Sequence, residues 1–258
     1  MGWRYVKLFL ARYFRLEMIK YRLTGCFCYP SPITTANFSF ELIMSAHDAS
    51  FRAMAWSHNK NYLLTCDASG NIKYWSPSIA PVQSIDSHNQ QAIHALSFSP
   101  SDTKFVSCGD DSTVRLWDWA THSEERVLEG HGWDVKTVMW HPRSSVIASG
   151  SKDNLVKLWD PRSGNCLSTL YGHKNTVTKV AWNDNGNWLL SASRDQIIKL
   201  YDIRAMKELA SLKGHNKEVT CIAWHPLCES VFASGGMVCR SRIRLGSLLW
   251  HFQLTNVL

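Results

Sequence analysis

Three sets of side chains combine a histidine with a serine, an aspartate and an aromatic ring: His131 with Ser149, Asp153 and Trp159; His88 with Ser107, Asp111 and Trp117; His173 with Ser191, Asp195 and Tyr201. In each set the serine precedes the aspartate by four positions and the ring follows it by six. His, Ser and Asp are the side chains of an acyl-transfer triad, in which a base activates a hydroxyl. They are also members of a hydrogen-bond chain, because an indole N–H can donate to a hydroxyl, the hydroxyl to an imidazole and the imidazole to a carboxylate. Recurrence favours the second reading. A nucleophile is needed once, in an exposed and activating setting, and no G-x-S-x-G elbow occurs in the chain. The sets are therefore read as structural clamps, in which an orphaned buried member would cost ~1–3 kcal/mol. Residues near the start, His47, Thr65 and Trp75, begin a fourth set, but Ser69 stands where the aspartate belongs. That unit is expected to be the least rigid.

The clamps need elements that repeat with them. Aromatics at Trp56, Phe98, Trp140, Trp182 and Trp224 recur at one constant interval, and the rings Trp75, Trp117, Trp159 and Tyr201 keep the same interval. The histidines His47, His88, His131, His173 and His215 follow it to within one position. Each unit reads as four short strands punctuated by turn residues such as Ser99-Pro100 or Asn183-Asp184-Asn185-Gly186. Units that open on Gly-His and close on Trp-Asp, as Gly130 to Asp160 does, resemble the WD40 repeat, whose period is ~40–45 residues. The expected fold is all-β, a WD40 β-propeller with about four complete blades plus partial blades at each end, a fragment of a seven-blade ring.

The complete blades fall near residues 51–86, 92–129, 134–171 and 176–213. The stretch NFSFELIM before them reads as the outer strand of a preceding blade. A fifth blade starts with VTCIAWHP and VFASGG, but Val238 and Arg244 occupy the places of its aspartate and tryptophan. Trp250-His251 is out of register for the missing strand. The expected organisation is a non-repeat basic segment over 1–36, propeller repeats over 37–236 and a non-repeat tail over 237–258. Residues 1–36 read either as an amphipathic transit or membrane-surface helix or as sequence foreign to the fold. A ring left open is expected to be marginally stable alone and prone to aggregate.

Charge narrows the function classes. The net charge of +7 is concentrated at the ends: six bases against one acid in residues 1–36, and three arginines without an acid in 237–258. The repeat region between them carries a net −1, so the propeller is not a basic body and its charge is no argument for RNA. None of the eight cysteines forms a CxxC pair, and Cys26-x-Cys28 is too tight for an ordinary zinc knuckle. Cys66, Cys108 and Cys221 fall on expected strands as small apolar residues, reduced as in the cytosol or nucleus. No metal or other cofactor is expected, and no run approaches the ~20 apolar residues of a membrane span.

The stretches between the fixed points are more specific. HDASFRAMAWSHN (47–59), GNIKYW (70–75), FSPSDTKFVSCGDDSTVRLWD (98–118), EERVLEGHGWDVKTVMWHP (124–142), GHKNTVTKVAWNDNGNWLLSASRDQIIKLYDIR (172–204) and AWHPLCESVFASGG (223–236) closely resemble the WD-repeat subunit of the cleavage and polyadenylation specificity factor. The flowering-time protein FY is the plant member of this pre-mRNA 3′-end processing family. The resemblance covers residues 37–236. It implies a nuclear, non-enzymatic scaffold subunit that docks on the large scaffold subunit of the complex. Beside a zinc-finger subunit, it would help bind the AAUAAA signal of pre-mRNA, with no small-molecule substrate and no membrane. The family's stacking ring would be Phe40 and its apolar base contact Ile43, both in the NFSFELI stretch. Strand alternation alone also accounts for Phe40 as an ordinary strand residue. The family's basic N-terminal segment has no counterpart in residues 1–36.

A second reading stays open. Asp160 and Arg162, and again Asp202 and Arg204, form endings that look like the WDxR motif of substrate receptors for cullin ubiquitin ligases. The same residues also suit a strand end with a solvated arginine.

Overall fold

A computed structural model describes residues 18–24, 37–43, 47–76, 81–225, 228–237, 241–245 and 252–254. The chain divides into two units, Met1–Phe51 and Arg52–Leu258. In the first, β1 (Met18–Thr24) pairs antiparallel with β2 (Asn37–Ile43), setting Tyr21 opposite Phe40 and Met18 opposite Ile43. Residues 18–24 are therefore a strand, which corrects there the amphipathic-helix alternative of the two readings of residues 1–36. Alternating polar and apolar residues in MIKYRLT have the two-residue period of a strand, which the basic composition obscured.

Five four-stranded sheets follow, each with its strands side by side in chain order. The first blade is β3 (Phe51–Trp56), β4 (Leu63–Asp67), β5 (Asn71–Trp75) and β6 (Pro81–Asp86). The second is β7 (Ile93–Phe98), β8 (Lys104–Gly109), β9 (Val114–Asp118) and β10 (Glu124–Leu128). The third is β11 (Val135–Trp140), β12 (Ile147–Ser151), β13 (Val156–Trp159) and β14 (Cys166–Leu170). The fourth is β15 (Val177–Trp182), β16 (Trp188–Ser193), β17 (Ile197–Asp202) and β18 (Lys207–Lys213). The evenly spaced aromatics Trp56, Phe98, Trp140, Trp182 and Trp224 each end the first strand of a blade.

The fifth sheet corrects an expectation. β19 (Val219–Trp224) and β20 (Val231–Gly236) are followed by β21 (Ser241–Leu245) and β22 (Phe252–Leu254), so this blade also has four strands. Its third strand comes from sequence that lacks the motif. Arg244 stands opposite Phe232, the register position that Trp159 holds opposite Ile147 in the third blade. Backbone pairing supplies the strand there, and the motif's ring is absent from it.

The core lies between blades. One cluster joins Val106, Leu116 and Leu128 of the second blade to Val138, Ile147 and Trp159 of the third. Equivalent clusters join the first blade to the second, the third to the fourth and the fourth to the fifth. The second strands of the first and third blades are buried along their whole length, and the third blade packs between the second and the fourth. Each such fully buried Leu, Ile or Val contributes roughly 1.5–3 kcal/mol relative to exposure. Cys66 and Cys108 belong to this core, and burial pushes the Cys108 thiol up to about 12.

First strands share one irregularity. Their pairing with the second strand shifts between Ile93 and Ala95, Val135 and Thr137, Val177 and Lys179, and Val219 and Cys221. A bulge of one residue at the same place in four blades turns that residue out of the ladder. It gives β7 and β11 an identical pattern of buried and half-buried residues that strict alternation would not produce.

Candidate functional site

The second, third and fourth blades each place the serine on the second strand, the ring on the third and the histidine and aspartate in the loops at one end. In the third blade Trp159 Nε1 donates to Ser149 Oγ at 2.8 Å, and Ser149 lies 2.7 Å from His131 Nε2. His131 Nδ1 lies 2.7 Å from Asp153. The second blade repeats this with Trp117 to Ser107 at 2.8 Å, Ser107 to His88 at 2.7 Å and His88 to Asp111 at 2.8 Å. The carboxylate can only accept, so Nδ1–H donates to it; in that tautomer Nε2 accepts the serine proton, while the serine oxygen accepts from the indole. The polarity of the chain thus follows from its two ends, an indole that can only donate and a carboxylate that can only accept.

These geometries suit a clamp. Ser107, Ser149 and Ser191 are fully buried, and Ser107 and Ser149 are held from both sides. Burial would raise the aspartates, but the bonds from His88, and from His131 with the Leu155 amide, hold Asp111 and Asp153 below the usual carboxylate range. Asp111 also takes Arg115 at 2.9 Å, and Arg115 reaches Glu124 at 2.7 Å.

The fourth blade is incomplete in one bond. His173 lies 2.6 Å from Ser191 and 2.9 Å from Asp195, but the buried Tyr201 hydroxyl makes no hydrogen bond of ordinary geometry among the described residues. Burial pushes this phenol up to about 12, with Ser191 pulling the other way. In the fifth blade His215 Nε2 keeps its serine, Ser234, at 2.8 Å.

The first blade solves its missing aspartate differently. Trp75 Nε1 donates to Thr65 at 2.8 Å, and Asp67 accepts from the Ser69 amide, the Ser69 hydroxyl and the Asn71 amide at 2.8–2.9 Å. A carboxylate two positions upstream of Ser69 ties that turn. Sequence reasoning missed Asp67 because it looked only at the motif position.

Sequence reasoning also missed a polar cluster built by the bulged residues. His94 lies 2.6 Å from Asp110, and Lys136 reaches Asp110 at 2.7 Å and Asp134 at 3.0 Å. His94 and Lys136 stand one full repeat apart, so the period could have exposed them. Among the described residues no group of three or more His, Cys, Asp or Glu is placed to hold a metal ion.

Phe40 and Ile43 lie on β2; their side chains are outside the described residues. Asp160 accepts from the amides of Arg162 at 2.9 Å and Ser163 at 3.3 Å. Asp202 accepts from those of Arg204 at 2.9 Å and Ala205 at 3.3 Å. Both aspartates cap the turn of their own arginine, which accounts for their presence without a receptor role.

The family model for WD domain, G-beta repeat, matches residues 38–76, 79–118, 122–160, 164–202 and 206–240. The chain belongs to the WD40 repeat family. Within it, the chain is similar to "Polyadenylation factor subunit 2" of Gibberella zeae, 48% identical over 48 residues, which is 19% of this chain and 8% of the relative. The Neurospora crassa protein of that name is likewise 48% identical over 48 residues, 19% of this chain and 7% of the relative. That of Candida albicans is 44% identical over 51 residues, 20% of this chain and 9% of the relative. The alignments thus span less than a tenth of each relative's length. No helix among the described residues is long and apolar enough to cross a membrane.

Proposed function

We propose that this WD40 chain is a non-catalytic scaffold subunit in nuclear pre-mRNA 3′-end cleavage and polyadenylation. It would contribute to recognition of the AAUAAA signal and to assembly with a large scaffold subunit and a zinc-finger subunit. The repeats alone identify a fold and no function. The observation that carries the reading is the similarity to three relatives named for polyadenylation. Phe40 is the proposed stacking ring and Ile43 the proposed apolar base contact, both on the strand β2. Stacking on an aromatic contributes ~1–3 kcal/mol per base, so Phe40→Ala should weaken RNA crosslinking roughly tenfold.

The test is purification of the tagged chain from nuclear extract, followed by crosslinking to labelled AAUAAA RNA. Copurification of the two partner subunits with a Phe40-dependent crosslink supports the reading. Loss of both, or copurification with a ubiquitin-ligase adaptor that depends on Arg162, would overturn it.

A further inference from the structure

The edge of the third blade at its clamp end carries two exposed aromatic rings that the repeat does not require. Trp133, just before β11, is 60% exposed, and Tyr171, just after β14, is 70% exposed. The periodicity supplies an internal control. One repeat away from Trp133 stand Gln91, before β7, and Asn175, before β15; one repeat away from Tyr171 stand Glu129 and Lys213. All four are polar and exposed. A blade therefore folds without rings at these two places, and rings left in water forgo the stabilisation that burial would give them.

Both rings lie at the same end of one sheet. Val135 pairs with Ser151, Gly150 with Val156 and Val156 with Leu170, so the start of β11, the β12–β13 turn and the end of β14 form one continuous edge. Three strand spacings separate β11 from β14, which is ~14 Å. Lys152 stands in the turn between them, half exposed, with its ammonium 5.9 Å from the Trp133 ring centroid and 3.6 Å from Asp134. The loop that carries Trp133 is already ordered. Its carbonyl accepts from Ser151 Oγ at 2.8 Å, and the neighbouring Gly132 amide donates to Asp153 at 3.1 Å. A ring presented on a fixed backbone loses little further freedom on binding.

We propose that this edge of the third blade binds an extended segment of another protein, with two apolar side chains four positions apart and an acid midway between them. Residues four apart in an extended chain lie ~13 Å apart and on one face, which matches the width of the edge between the two rings. The midway residue faces the same edge, where Lys152 offers the opposite charge. Trp and Tyr are the side chains enriched as anchors of protein interfaces, and a polar rim surrounds both of them here. Nucleic acid fits less well. Glu129 and Asp134 offset Lys152 and Lys174 along this edge, so it is no basic track for a polyanion. The inference does not rest on the polyadenylation reading, whose proposed contacts are Phe40 and Ile43 on β2.

The test uses the full chain as bait for a phage-displayed library of random dodecapeptides. Enriched peptides are expected to carry two apolar side chains four positions apart with an acid midway. The most enriched peptide, synthesised with a fluorescent label, should lose about tenfold in affinity for Trp133→Asn and for Tyr171→Lys. Both replacements are the residues that stand one repeat later, so neither variant should melt below the parent protein. Lys152→Glu should select a base in place of the acid. The proposal is overturned by no enrichment, by enriched peptides that lack the pattern, or by binding indifferent to the variants. A melting point lowered in Trp133→Asn overturns it too, since the ring would then be held for stability. Binding of oligouridine lost in the same variants would give the edge to RNA, and a concentration-dependent mass lost in them would give it to a second copy of the chain; each overturns the proposal.

Discussion

His141 Nε2 donates to the carbonyl of Gly186 at 3.0 Å, joining the third blade to the fourth. The tautomer is fixed locally, because His141 Nδ1 accepts from the amides of Arg143 at 3.0 Å and Ser144 at 2.8 Å. Gly186 has φ +82°, and a Cβ there would collide with the His141 ring. Gly186→Ala therefore meets both backbone strain and a clash, and should destabilise by roughly 2 kcal/mol or more. Gly132→Ala is the control, because a Cβ there meets nothing within 4 Å. Urea titrations that rank the two variants equally would refute this account.

The clamps predict opposite outcomes for two ring substitutions. Trp159→Phe removes the donor to Ser149 and opens a gap beside a buried serine, for a cost of about 2–4 kcal/mol. Tyr201→Phe removes a buried hydroxyl that has no partner of ordinary geometry, so it should leave the protein as stable or more so. Chemical denaturation of both variants beside the parent protein measures the contrast.

The fold was legible because a propeller blade repeats its chemistry. A clamp of four side chains and one strand-end aromatic, recurring at a fixed interval, reports where strands lie even when each strand is short. What escaped the sequence lacked those marks. β21 is held by backbone pairing with β20 and has Arg244 where the motif's ring belongs, so no side-chain pattern announced it. Asp67 acts from two positions off the motif. Tyr62 and Trp119 lie on different blades and meet only through blade packing, which no local pattern encodes.

Thiol reactivity should follow burial. Cys66 and Cys108 are buried in strands with raised pKa values, whereas Cys166 and Cys228 are exposed. Alkylation of the native protein, mapped by peptide mass, should modify Cys166 and Cys228 quickly and spare Cys66 and Cys108 until denaturant is added. Equal labelling of the four under native conditions would contradict the core described for the first two blades.

Mild acid should weaken the fold through three histidines. His94, His141 and His173 all lie below their ordinary value of 6.5, burial being the largest cause in each. Asp110 pulls His94 upward, the Gly186 carbonyl does so for His141 and Asp195 for His173, without cancelling the effect of burial. A depressed value means that the unfolded chain binds these protons first, so stability rises with pH across the interval between folded and unfolded values. Below that interval both states are protonated and the loss is complete. The melting temperature should therefore fall as pH drops from 7.5 through about 6. The carboxylates Asp111, Asp153 and Asp195 titrate only below their ordinary 3.8 and add a separate, steeper loss there. His141→Gln should flatten the slope near pH 6 by removing one of the three titrations, at some cost in stability at pH 7.5 from the altered bond to Gly186. A pH profile that is level between 7.5 and 5, or identical in His141→Gln, would remove these histidines from the explanation.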